Sequence, residues 1–144
     1  MEIETVLVPV DGSEESVAAV EYGVAIADAY GASVHALYVL GEGMVRGVEA
    51  GDLADEEVAA ESEAFLDEVQ RMAGDVPVSR AMAAGFSLSQ LSRHPGSVIL
   101  DAADDVAADF LVVPREPLTG DPSAVIEKAA EYVLAHASQP VLSV

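Results

Sequence analysis

Thr5-Val6-Leu7-Val8-Pro9-Val10 is the stretch that decides the fold of this 144-residue chain, and Asp11-Gly12-Ser13 follows it at once. The run is too short for a buried helix and rich in β-branched residues, so it predicts a strand buried on both faces. Ser13 is a good N-cap, and Glu14 and Glu15 stand where a helix dipole favours anions. We therefore expect a strand that turns directly into a helix.

The rest of the chain repeats this alternation. Val17, Val20, Val24 and Ala27 recur at helical spacing as a core stripe, and Gly31 predicts the end of the first helix. The other predicted strands are residues 33–39, 78–83, 110–113 and 141–144, and the other predicted helices are residues 55–73, 97–106 and a last one ending near His136. This order predicts an α/β domain covering residues 1–144, a doubly wound open sheet of five mainly parallel strands with helices on both faces.

The charge of the chain is strongly unbalanced. Twenty-six acidic residues stand against six basic ones, the net charge is −20, and Lys128 is the only lysine. Such a domain repels nucleic acids and anionic membranes. The near-absence of lysine favours a halophilic cytoplasm over an ordinary acidic protein, because molar salt screens the self-repulsion.

Composition excludes further classes of protein. The chain has no cysteine, so it has no disulfide, thiolate zinc site or thiol nucleophile. No apolar run reaches the roughly 20 residues of a membrane span, and the start of the chain lacks the basic region of a signal peptide. We expect a soluble protein in the cytoplasm.

A ligand crevice is expected beyond the carboxyl ends of the strands, where the strand order reverses. Three segments should meet there: residues 9–13, 39–43 and 114–121. Arg115 lies in the last of these and either meets an anion, pairs with Glu116 or is simply solvated. The segment that begins at Gly85 and ends at Gly96 has no readable pattern, and a lid over the crevice is one interpretation of it.

Several motifs, taken together and in order, resemble the universal stress protein family. They are Val8-Pro9-Val10-Asp11-Gly12-Ser13, Ala36-Leu37-Tyr38-Val39, Ala108-Asp109-Phe110-Leu111-Val112-Val113, Ala130-Glu131-Tyr132-Val133-Leu134 and Gln139-Pro140-Val141-Leu142-Ser143-Val144. The resemblance covers nearly the whole chain. It implies a stress-related protein, and its ATP-binding members carry a phosphate loop of the pattern Gly-x2-Gly-x9-Gly-Ser/Thr.

This chain keeps the spacing of that loop and loses its residues. The four positions are occupied by Pro114, Pro117, Glu127 and Lys128. Proline has no backbone N–H to offer a phosphate. Glu127 would place a carboxylate beside the phosphate, which costs about 4 kcal/mol for unit charges 4 Å apart at a dielectric of 20, or about a thousandfold in affinity. Lys128 would be neutralised largely by Glu127.

The start of the last helix bears on the same loop. Asp121 and Pro122 suit an N-cap and a first helical position, so a continuous helix from Pro122 would commit the amides of Glu127 and Lys128 to the helix. The alternative is a short turn, a break, and a new helix near Ile126.

The resemblance also implies a pocket for a base. In ATP-binding members the residue matching Asp11 faces the adenine, and those matching Pro9 and Val39 line the base pocket. The other interpretation of Asp11 is that it caps the turn after the first strand, together with Gly12 and Ser13.

No catalytic or metal-ligating constellation is found. His35, His94 and His136 are far apart in sequence, so no local metal-ligand spacing exists and structural or solvent-facing roles are expected, with His94 kept as a candidate. A Gly-x-Ser-x-Gly nucleophile elbow is absent. We expect no enzyme, no metal and no cofactor.

The sequence therefore predicts a non-catalytic regulatory or binding module that does not bind ATP through the usual loop. An alternative is binding of adenosine, AMP or another small ligand near Asp11. Family members often pair the last strand across a dimer, so the resemblance implies a homodimer through residues 141–144, and a protein partner is a further expectation. Leu142 and Val144 should point to one face of the sheet, and Val141 and Ser143 to the other.

Overall fold

The computed structural model of the protein describes residues 2–40, 47, 48, 50, 51, 54–84, 95–114 and 125–144. Its strands are β1 (Thr5–Val10), β2 (Ser33–Leu40), β3 (Val78–Ala84), β4 (Phe110–Val113) and β5 (Val141–Ser143). Its helices are α1 (Glu14–Tyr30), α2 (Asp55–Ala73), α3 (Pro95–Asp105) and α4 (Val125–His136). The five predicted strands and four predicted helices are confirmed, with bounds that agree to within two residues, apart from the start of the last helix, whose predicted residues lie outside the described ones.

The strands form one sheet in the order β3-β2-β1-β4-β5, and all four pairings are parallel. The predicted doubly wound α/β fold is confirmed. The chain builds outward from β1 through β2 to β3, and then crosses to β4 and β5 on the other side. The strand order therefore reverses between β1 and β4.

Each face of the sheet carries its own apolar cluster. The first cluster includes Val6, Val8 and Val10 of β1 and packs under α1 and α2. The second cluster includes Leu7 of β1 and packs under α3 and α4. Because successive side chains of a strand point to opposite faces, the continuous apolar run of β1 is explained by burial on both sides.

The predicted core stripe of α1 is partly wrong. Val20 and Ala27 are fully buried, but Val17 and Val24 are only partly buried. The buried face of α1 is instead Ser16, Ala19, Val20, Gly23 and Ala27. A methyl group at Gly23 would lie 2.6 Å from Val8 Cγ2, so the helix sits too close to β1 for a larger side chain. Mostly small residues therefore face the sheet, and Val17 and Val24 lie to the side.

The ends of α1 follow the sequence signals. Ser13 is the N-cap, and its hydroxyl accepts a hydrogen bond from the Ser16 N–H. Gly31 ends the helix in the left-handed conformation, with φ of 66°. Both predictions are confirmed, because each residue satisfies a backbone group that the helix leaves unpaired.

Two further contacts fix neighbouring elements. Asp109 Oδ2 accepts hydrogen bonds from the N–H groups of Glu4 and Thr5, which ties the residue before β4 to the start of β1. At Gly96, a methyl group would lie 2.6 Å from Tyr132 Cβ, so α3 and α4 approach closely there. None of the helices in the described part of the chain is long and apolar enough to cross a lipid bilayer.

Candidate functional site

The carboxyl ends of β1, β2 and β4 lie at one edge of the sheet because the three strands are parallel. This edge carries the loop of Asp11 and Gly12, the end of β2, and Pro114, which is buried directly after β4. The strand order reverses between β1 and β4, so the expected crevice lies at this edge. Residues 41–46 and 115–124 lie outside the described residues, and with them Arg115 and Pro117.

Asp11 is held by a compact network of hydrogen bonds. Its Oδ1 accepts from the Ser13 N–H (3.0 Å) and from the Ser16 hydroxyl (2.9 Å). Its own N–H donates to Ser16 Oγ (2.8 Å), and Ser16 is completely buried. These bonds match the second interpretation of Asp11 given above, in which it caps the turn after the first strand. They leave Oδ2 without a partner among the described residues, so a role in recognising a base stays a prediction.

Tyr38 supports the same loop from β2, a role that the sequence did not predict. Its hydroxyl donates to the Asp11 carbonyl (3.1 Å) and lies against Gly12, whose φ of 90° suits glycine. Burial raises the pKa of Tyr38, and the carboxylates of Asp11 and Glu61 raise it further. Tyr38 therefore stays protonated at neutral pH and remains a donor. A tyrosine near the carboxyl end of a mostly apolar strand was the available signal.

A cleft of about 500 Å³ opens beside Asp11 on the face covered by α1 and α2. Its lining includes Asp11, Tyr38, Glu61, Glu68 and Arg71. The Arg71 guanidinium donates to the Glu68 carboxylate, so that pair cancels its own charge. Asp11 and Glu61 remain, and they give this cleft a negative potential that disfavours phosphate groups.

The predicted base-pocket residues lie on the opposite face of the sheet. Val39 is 2 % exposed and belongs to the second cluster. Pro9 is also buried, and it lies between Val8 and Val10, which belong to the first cluster, so it points toward the second. Pro9 and Val39 therefore share one face, and Asp11 stands at the end of β1 beyond them.

The predicted phosphate-loop positions are only partly described. Pro114 is buried and follows β4 directly. Glu127 and Lys128 belong to α4, which begins at Val125 within the described residues. Residues 121 and 122 lie outside them, so both alternatives for the start of the last helix stay predictions.

The histidines are placed as follows. His35 lies in β2 and is nearly buried, and its Nδ1 shares a hydrogen bond with Ser79 Oγ (2.7 Å). His136 lies in the last turn of α4, where its ring packs against that of Tyr132 at a centroid distance of 4.3 Å with the two planes tilted by 41°. His94 lies outside the described residues, as do residues 85–93. In the described part of the chain, no three His, Asp or Glu side chains are arranged to hold a metal ion.

The hydrogen bonds around Asp11 predict the stability of its variants. Asp11→Ala removes the acceptor of both the Ser13 N–H and the Ser16 hydroxyl, and should lower the free energy of unfolding by about 1–2 kcal/mol. Asp11→Asn keeps a side-chain oxygen at the same place and should cost less than half as much. Urea denaturation of both variants measures the difference. Equal stability of Asp11→Ala and wild type would contradict the capping role.

Comparisons with known proteins agree with this fold. A sequence model of the universal stress protein family matches residues 2–144. Universal stress protein MJ0531 of Methanocaldococcus jannaschii is 28% identical over 142 residues, which is 96% of this chain and 80% of that protein.

Two solved structures with bound ligands share the fold. A universal stress protein in complex with cAMP has a TM-score of 0.69 and 23% identity, over 100% of this chain and 98% of that one. The universal stress protein from Archaeoglobus fulgidus in complex with dAMP has a TM-score of 0.66 and 18% identity, over 99% of this chain and 98% of that one. With the family match over almost the whole sequence, the conclusion is that this chain belongs to the universal stress protein family.

Proposed function

We propose that this chain is a non-catalytic, stress-related regulatory or binding module of the cytoplasm that does not hold ATP through a glycine loop. The observation that carries the proposal is the loss of backbone donors at the phosphate-holding positions. Pro114 is buried directly after β4, where the family's ATP-binding pattern has a glycine, and it has no N–H to donate. The lack of cysteine fits a reducing compartment.

Electrostatics support the same proposal. The chain carries a net charge of −20, and Asp11 and Glu61 both raise the pKa of Tyr38 at the crevice edge. The negative charges of both carboxylates are therefore felt at the crevice edge, where Tyr38 lies. A triphosphate would have to approach a negative surface without the backbone donors that Pro114 and Pro117 lack.

The side chains at the crevice edge support a non-catalytic module. The Ser13 hydroxyl donates to Ser16, and the Ser16 hydroxyl donates to Asp11 but is completely buried, so both serve the cap of α1 and neither is paired with a histidine among the described residues. Among the described residues, His35 is the only histidine that lies in a strand. It forms a hydrogen bond with Ser79 and lies away from the crevice edge.

Calorimetry tests the loss of ATP binding. Wild type should show no saturable heat with magnesium-ATP at micromolar concentrations. A variant combining Pro114→Gly, Pro117→Gly, Glu127→Gly and Lys128→Ser restores the family's pattern and should gain affinity by about a hundredfold or more, since removal of Glu127 alone is worth up to about a thousandfold.

The matched control for this experiment is Glu131→Gln, which removes one exposed charge of α4 outside the loop positions. It should leave ATP binding unchanged. Wild-type binding of ATP at submicromolar affinity would refute the proposal.

Binding of adenosine or AMP is the second candidate function. The two ligand-bound relatives hold adenine nucleotides with a single phosphate, cAMP and dAMP. Here Pro9 and Val39 share one face of the sheet at the carboxyl edge, and Asp11 Oδ2 has no partner among the described residues. Adenosine binding that equals or exceeds ATP binding in the same calorimetry would support this candidate, because the base and ribose would then supply the affinity.

We further propose that the chain forms a homodimer through β5. This strand stands at the edge of the sheet and pairs only with β4 among the described strands. Leu142 and Val144 pack on the first cluster and Val141 on the second, as the sequence predicted. An edge strand with apolar side chains on both faces offers unpaired backbone groups to a second strand.

The hydrogen bonds of β5 identify which groups would reach a second copy. The Pro140 carbonyl accepts from the Leu111 N–H, and the Val144 N–H donates to the Val113 carbonyl. The backbone N–H and C=O groups of the even-numbered residues therefore point toward β4. By alternation, the N–H groups of Val141 and Ser143 point away from the sheet. Leu142→Pro would therefore disturb the pairing with β4 as well as any dimer.

Ser143→Pro is the sharper variant, because proline is tolerated where an edge N–H faces outward. It should convert a dimer into a monomer in size-exclusion chromatography with light scattering, while the circular dichroism spectrum is retained. The matched control Ser143→Ala keeps the N–H and should remain dimeric. A monomeric wild type, or a Ser143→Pro variant that stays dimeric, would refute the interface.

A further inference from the structure

A second concavity, of about 350 Å³, lies away from the crevice on the face of the sheet covered by α3 and α4. We call it the α3 groove. The residues that the argument needs are His35, Leu37, Val98, Asp101, Asp105 and Val106. His35 is the third of the eight residues of β2, so the groove lies toward the opposite end of that strand from the crevice. Its volume falls within the range of small-ligand sites.

His35 gives the α3 groove a hydrogen-bonding group. The residue is 7 % exposed, and its Nδ1 is engaged by Ser79 Oγ at 2.7 Å. Its Nε2 has no hydrogen-bond partner among the described residues. Burial lowers the pKa of His35, so the ring is neutral at pH 7 and Nε2 is an acceptor when Nδ1–H donates to Ser79. Among the described residues, Ser143 Oγ is the one buried side-chain atom that lacks a hydrogen-bond partner, so His35 Nε2 is open to the groove and can bond a ligand there.

The walls of the α3 groove select the kind of ligand. Leu37, Val98 and Val106 supply apolar surface. Asp101 and Asp105 lie one turn apart on α3 and both line the groove, and the Asp105 carboxylate attracts a cation. The same carboxylate disfavours anions such as nucleotide phosphates.

The cation that fits this groove is an organic one and not a metal ion. A metal ion would need three or more protein ligands, and no such group is found in the described part of the chain. The two arginines with described side chains, Arg71 and Arg80, both pair with carboxylates of α2 on the other face of the sheet. Asp105 has no ion-pair or hydrogen-bond partner among the described residues.

From these observations we infer that the α3 groove binds a small organic ammonium ion. Its apolar body lies against Leu37, Val98 and Val106, and its charged nitrogen lies between His35 Nε2 and the Asp105 carboxylate. The nitrogen donates to His35 and is paired with Asp105, while the body removes apolar surface from water. This site is independent of the crevice and of the dimer.

Titration with phenethylammonium chloride, followed through the imidazole signals of the three histidines by NMR, tests the inference. Saturable shifts should be confined to His35 and absent from His136. Two reduced probes separate the contributions: ethylammonium lacks the apolar body and 2-phenylethanol lacks the charge. Each should bind at least about tenfold more weakly, which corresponds to about 1.4 kcal/mol.

Two substitutions on α3 provide a matched pair. Asp105→Asn removes a carboxylate that lines the groove and should weaken phenethylammonium binding about fivefold, the effect of about 1 kcal/mol for unit charges 4 Å apart in water. Asp104→Asn removes the neighbouring exposed charge, which does not line the groove, and should leave binding unchanged. His35→Phe keeps a ring but loses Nε2 and should abolish saturation.

Three results would overturn the inference. One is equal weakening by Asp105→Asn and Asp104→Asn, which would mean general attraction to an acidic surface. Another is equal binding of phenethylammonium and 2-phenylethanol, which would remove the charge from recognition. The third is wild-type binding by a folded His35→Phe variant. If His35→Phe does not fold, the aspartate pair and the reduced probes still decide the question.

Discussion

The parallel pairing of β1 with both β2 and β4 is the constraint on which the rest of the structure depends. It buries β1 on both faces and brings the carboxyl ends of the three strands to one edge of the sheet. Asp109 contributes to this arrangement, because its carboxylate binds the N–H groups of Glu4 and Thr5 at the start of β1. The position of the candidate crevice follows from this pairing, whatever side chains the loops carry.

The sequence predicted the elements well because their signals are local. Short apolar runs identified the strands, and Ser13 and Gly31 identified the ends of α1. The buried face of α1 was not predicted, because it depends on the close approach of Gly23 to Val8 across two elements. Tyr38 and Asp109 were part of the family motifs, but their partners are backbone groups distant in sequence, which no local pattern reveals.

The same distinction applies to the candidate site. The proposed loss of the glycine pattern was inferred from the sequence, because it concerns residue types at fixed spacing. The network that joins Asp11 to the buried Ser16 is visible only in the structure, and it commits one carboxylate oxygen to holding the loop. In this chain the turn after β1 is therefore stabilised by its own side chains, while the acidic residues around it disfavour a phosphate tail.

A crystal structure grown with an excess of magnesium-ATP tests the central claim most directly. The account predicts that no triphosphate is ordered against residues 114–128, and that Asp11 keeps its bonds to Ser13 and Ser16. An ordered triphosphate held by backbone N–H groups of that segment would contradict it, since the missing donors would then have been replaced by others.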